Sequence, residues 1–176
     1  MSDCVLREAT AADAPALAAL GRGSFVAKFG ALYRAEDLAA FLAQAFTEGA
    51  VADEIADPLR LYRLAELDGA LAAYCKLGLA CGFPEHARGS HVIELKQLYT
   101  DPALTGHGIG AALMDWALAE ASARGADEMQ LSVYSDNAGA QRFYTRYGFE
   151  KVADITFRVG EQLDDEFLFA RMLAAQ

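Results

Sequence analysis

The sequence predicts an α+β domain, and two observations carry that reading. After one short strand, helical periodicity fills most of the first seventy residues; strands then come in groups, three in succession and two at the end. The order is β-αα-βββ-α-β-α-ββ, which interrupts any regular βαβ alternation. The 176 residues suit one domain over 1–176 with a sizeable core. A composition that is 54% hydrophobic and 23% charged is that of a globular chain.

Each element has a local cause. Val5 to Ala9, "VLREA", reads as a strand. Thr10 and Asp13 form a capping-box opening with Pro15 in the first turns, and helix follows to about Leu20. From Arg34 to Phe46 the residues Leu38, Leu42, Ala45 and Phe46 repeat on one helical face. A short helix from Val51 to Ala56 stops before Pro58. Two strand-forming runs flank Asp68-Gly69, a hairpin turn signal. His91 to Pro102 is a further strand. From Gly108 to Arg124, Ile109, Leu113, Ala117 and Ala121 recur every four residues, and Gly125 closes the helix. "EMQLSVYS" is a strand, Asn137 caps the helix "AGAQRFYTRY", and Gly148 with Phe149 ends it as a Schellman motif. The strands "FEKVADITFRV" and "DEFLFARML" finish the chain.

Charge and composition exclude several functions. A net charge of −10 argues against nucleic acid and suits a cationic small substrate, although acidity also simply favours solubility. No apolar run approaches the ~18 residues that span a bilayer, and no secretory leader is visible, so a cytoplasmic protein without membrane partners is expected. Cys4, Cys75 and Cys81 are then reduced thiols. Cys75, Cys81, His86 and His91 match no compact zinc spacing, so no metal is expected.

The stretch Thr105-Gly106-His107-Gly108-Ile109-Gly110-Ala111 enters a helix through three glycines. Helix N-termini suit phosphates. A Walker loop would need Gly-Lys-Ser/Thr where Ala111-Ala112 stands. The dinucleotide fingerprint is met by Gly106, Gly108 and Ala111, but Asp127 lies before the next strand and not at its far end. A glycine-rich connection without a ligand explains one glycine well and three poorly.

Taken with its surroundings, the turn resembles that of the GCN5-related N-acetyltransferases (GNAT). Their Q/R-x-x-G-x-G/A signature is similar to Thr105–Gly110, with Thr105 in place of Arg or Gln. Their N-x-x-A-x-x-x-Y-x-x-x-G-F run is met by Asn137, Ala140, Tyr144, Gly148 and Phe149. The motifs cover about Glu94 to Phe149. The resemblance implies the GNAT fold, a mixed, mostly antiparallel sheet flanked by helices, with acetyl-coenzyme A as co-substrate. It places the pyrophosphate on backbone N–H groups from Gly106 to Ala111, His107 and Ile109 included. It adds Leu98, Thr100, Thr105, Asn137, Ala140 and Phe143 to the cofactor side, Leu98 through its backbone N–H.

Transfer to an amine poses two proton problems. An alkylammonium with pKa near 10.4 must lose a proton, which at pH 7 costs ~4.6 kcal/mol. The thiolate leaving group must be protonated or stabilised. The resemblance implies Tyr144 as general acid, against core packing as the alternative. It implies Glu94 as base, against a solvated position on a half-exposed strand. Asn137 reads equally as a plain helix cap.

The segments "FVAKFGALYRAEDLAAFLAQAF" and "FRVGEQLDDEFLFARML" look like those of the bacterial polyamine acetyltransferases of the PaiA type. That resemblance implies a small-molecule amine acceptor, such as spermidine, with Phe25, Phe29 and Tyr33 lining its side; core packing of both phenylalanines is the alternative. A monomer or homodimer is expected. A non-catalytic acyl-CoA binder or regulatory protein on the same fold is the competing class, kept open by Thr105.

Overall fold

The elements of the structure, a computed structural model that describes residues 4–174, are β1 (Cys4–Glu8), α1 (Ala14–Phe29), α2 (Ala35–Ala45), α3 (Glu48–Ala56), β2 (Arg60–Leu67), β3 (Ala70–Gly78), β4 (Val92–Thr100), α4 (Ile109–Ala123), β5 (Glu128–Tyr134), α5 (Ala138–Arg146), β6 (Glu150–Val159) and β7 (Gln162–Met172). The outermost positions of the expected 1–176 domain lie outside the described residues. The strands form one sheet in the order β1-β2-β3-β4-β5-β7-β6, antiparallel except for β4 beside β5. Among the described residues, no helix is long and apolar enough to cross a membrane.

Helices cover both faces of the sheet. On one, Leu17 and Ala18 of α1 and Val51 of α3 pack on Tyr62, Leu64 and Tyr74. On the other, Leu113, Met114, Ala117 and Ala121 of α4 are fully buried against Cys75, Leu77, Ile93 and Leu131. The four-residue repeat of α4 is thus its sheet-facing stripe, and its alanines let the helix lie close. Truncating Leu113 there would cost about 2–5 kcal/mol.

Local signals place most boundaries. Asp68 and Gly69 both have positive φ, 52° and 80°, the primed turn that joins β2 to β3. Thr47 starts α3 a turn earlier than the expected Val51, its hydroxyl accepting the Ala50 N–H at 3.1 Å. The larger correction is α1, which runs to Phe29 and not to Leu20. Gly21 is a poor helix former, but a Cβ there would lie 2.6 Å from the Tyr74 hydroxyl and 2.7 Å from the Phe46 ring. Tertiary contact requires this glycine, and the helix continues through it. Strand β7 likewise begins at Gln162, ahead of the expected Asp165, because its hairpin with β6 pairs Val159 with Gln162.

Candidate active site

β4 and β5 pair only from Val92–Leu95 to Glu128–Leu131. In β4 the register with β3 jumps from Gln97 to Leu95, so Lys96 is an extra residue that twists the strand. Beyond this point β4 and β5 part, and a cavity of about 560 Å³ is lined by Leu95–Thr100 on one side and Ser132–Tyr134 on the other.

Directly after Thr105, which lines this cavity, comes the glycine turn. Gly106 and Gly108 have φ of +82° and +78°, and no atom lies within 4 Å of a Cβ built on either. Backbone handedness, and not crowding, requires these glycines. Gly108 caps α4, and the first returning bond runs from the Ala112 N–H to the Gly108 carbonyl at 3.0 Å. The N–H groups of Ile109, Gly110 and Ala111 therefore have no partner within the helix. They form a partly positive seat for an anion, which fits the pyrophosphate of coenzyme A. His107 folds back, its Nδ1 3.2 and 3.1 Å from the Leu104 and Thr105 carbonyl oxygens. The Thr105 hydroxyl donates to the Pro102 carbonyl at 3.3 Å, and both residues line the cavity.

The dinucleotide reading fails on Asp127. Its carboxylate accepts the Ser90 and His91 N–H groups at 2.8 and 2.9 Å, and these bonds, His91's foremost, hold its pKa below the usual range.

Leu98, Thr100, Asn137, Ala140 and Tyr144 all lie on the cavity wall. The Asn137 Oδ1 accepts the Ala140 N–H at 3.1 Å, so its oxygen serves as the cap of α5. Tyr144 is set by the end of that helix. Its carbonyl accepts the Phe149 N–H at 3.1 Å, and Gly148 has φ +81°, a Schellman ending. Burial, with a smaller effect from Cys75, pushes the Tyr144 phenol well above its ordinary pKa, so it stays protonated. Phe143 does not line the cavity; its ring packs edge-on to Tyr144, 5.4 Å between centres.

Phe25, Phe29 and Tyr33 also line the cavity and stand together, with 5.2 Å between the phenylalanine rings and Tyr33 stacked on Phe25 at 6.0 Å. Phe25 is also buried in the core beside Phe46, so the wall and core readings both hold for it. The Tyr33 hydroxyl donates to Asp164, and burial together with that bond raises its pKa.

The structure does not bring Glu94 to this cavity. Glu94 is 4% exposed; its carboxylate sits 2.8 Å from the Lys96 ammonium and packs on Gly82, where any Cβ would push it aside. The wall carries a different carboxylate, Glu166 of β7. Its signal in the sequence was an acid opening the apolar run "EFLFA". Among the described residues, no three His, Cys, Asp or Glu side chains are grouped to hold a metal.

Residues 27–149 match the model of the acetyltransferase (GNAT) family. An uncharacterized N-acetyltransferase of Mycobacterium tuberculosis is 32% identical over 92% of this chain and 98% of its own. The aminoalkylphosphonate N-acetyltransferase of Salmonella typhimurium is 33% identical over 61% of this chain and 68% of its own. The structure of PaiA N-acetyltransferase from Thermoplasma acidophilum, solved with coenzyme A, superposes with a TM-score of 0.79 at 20% identity, over 97% of this chain and 99% of that one.

Proposed function

The chain belongs to the GNAT acetyltransferase family, and we propose that it moves the acetyl group of acetyl-coenzyme A to a primary amine on a flexible cation, such as spermidine. The observation that carries this reading is one cavity lined by Thr105, which leads into the Gly106–Ala111 helix start, by Tyr144 and by an aromatic wall.

Acetyl-coenzyme A supplies the acyl carbon and the thiol that leaves. Backbone N–H groups of Ile109, Gly110 and Ala111 bind the phosphates, and Ala140 leaves room beside them for a slender chain. The N–H of Leu98, on the part of β4 that has left β5, polarises the carbonyl. Tyr144, held protonated by burial, donates to the departing sulfur. The polyamine assignment is supported by the net charge of −10, the PaiA-like ends of the chain and the aromatic wall, whose ring faces attract ammonium groups. Thiol release measured over a panel of amines, with spermidine, an aminoalkylphosphonate and neutral aromatic amines among them, tests it. Spermidine should lead the panel; a faster neutral or anionic acceptor would overturn the polyamine assignment.

A further inference from the structure

Of the buried side-chain polar atoms without a hydrogen-bond partner among the described residues, only Glu166 Oε2 belongs to a residue that lines the cavity. Leaving such an atom unpaired is costly, more so when it is charged. Glu166 lies on β7 between Tyr134 of β5 and Ile155 of β6. It makes no ion pair among the described residues, and the one wall cation with a partner, Lys96, is taken by Glu94. Asp164, two positions earlier, is already engaged by the Tyr33 hydroxyl and by Gln162 Nε2 at 2.8 Å. Aromatic rings of Phe29, Tyr99, Tyr134 and Phe157 share the wall. One free carboxylate oxygen among ring faces is a receptor for one ammonium group.

We propose that Glu166 binds the ammonium of the acceptor and takes its first proton. The proposal rests on the acetyltransferase reading and names the acceptor end of that site. Burial raises the Glu166 carboxyl to about 6, the Ser132 hydroxyl opposing and Asp164 adding a little. That places a base close to the working pH. The other titratable groups on this wall are Lys28, Lys96, Tyr33, Tyr99, Tyr134 and Tyr144; the tyrosines are all shifted upward and stay neutral.

The proton balance is then complete. The ammonium carries two protons more than the amide nitrogen requires. One passes to Glu166 Oε2 before attack and leaves to solvent. The freed lone pair forms the C–N bond, and the C–S bond breaks with its electron pair going to sulfur. Sulfur takes a proton from Tyr144, and the second nitrogen proton, lost as the amide forms, restores the phenol.

The test compares wild type, E166Q and E166D with spermidine as probe, reading thiol release from pH 5 to 10 and acetyl-coenzyme A affinity by calorimetry. For E166Q we expect unchanged acetyl-coenzyme A affinity, a fall of about 10²–10⁴ in kcat/KM near pH 7, and recovery at high pH where the amine is already neutral. The acid limb that Glu166 sets at about 6 in the wild-type profile should be replaced by one that follows the amine's own deprotonation. An E166Q protein that binds acetyl-coenzyme A and keeps both the rate and the acid limb overturns the proposal while leaving the acetyltransferase reading intact. If E166Q fails to bind acetyl-coenzyme A, E166D decides: a moved acid limb supports the proposal, and an unmoved one overturns it. Wild-type protein that releases no thiol with any amine of the panel overturns both.

Discussion

Asp37, in the first turn of α2, accepts the Glu161 N–H at 2.9 Å across 124 positions of sequence. The same carboxylate accepts from Arg34 Nε at 2.8 Å. With the Tyr33–Asp164 bond, it ties the α1–α2 connection to the β6–β7 hairpin. These two segments carry Tyr33, Phe157 and Glu166, so the bonds hold the acceptor wall together.

Gly160→Ala should loosen that closure. Gly160 has φ +58°, and a Cβ there would lie 2.6 Å from the Asp37 Cα, a backbone atom that cannot step aside. We expect a loss of about 1–3 kcal/mol, read as a lower urea midpoint, and a raised KM for the amine. Asp37→Ala should produce the same KM effect without the steric overlap.

The glycine turn makes opposite predictions for two substitutions. Gly108→Ala meets open space and should cost only the left-handed backbone strain, about 1–2 kcal/mol, while weakening acetyl-coenzyme A binding modestly. Gly108→Glu adds a negative charge at the anion seat and should abolish binding in calorimetry. Equal affinity in a folded Gly108→Glu protein would remove the turn from the cofactor site.

Tyr144→Phe should lower turnover by ~10²–10⁴ with acetyl-coenzyme A affinity nearly unchanged, since the ring and its packing remain. Wild-type turnover would assign Tyr144 to packing alone.

Polycation steering predicts a salt effect. The kcat/KM for spermidine should fall clearly from about 50 to about 500 mM salt, because screening shortens the reach of the negative surface. A neutral amine should change much less. Equal slopes for the two would count against electrostatic recruitment of the acceptor.

Glu166 also predicts a pH effect on stability. Its folded pKa, about 6, lies above the ordinary 4.5, so between those values the folded state holds the extra proton. Its contribution is therefore fully present below about 4.5 and lost as pH rises through about 6. Replacing it by Gln should flatten this part of the stability curve. The difference in urea midpoint between wild type and E166Q, followed from about pH 4.5 to 7, isolates it from carboxylates such as Asp127, whose lowered pKa acts at more acidic pH.

The sequence by itself determined what single residues decide through their own backbone. Gly108, Gly125 and Gly148 mark helix ends with φ of +78°, +77° and +81°, and left-handed backbone there is a property of the residue. The Asp68-Gly69 turn, the sheet-facing stripe of α4 and the motif that places Tyr144 are local in the same sense. Only the tertiary structure decided where side chains meet. Gly21 ends no helix because Tyr74 and Phe46 need its missing Cβ. Glu94 and Glu166 are both strand acids followed by an apolar residue, and that pattern does not say which of them lines a cavity. Lys96 and Gly82 close around one, while the parting of β4 from β5 opens a cavity before the other. That difference comes from strand pairing between residues far apart in the chain, which no local pattern encodes.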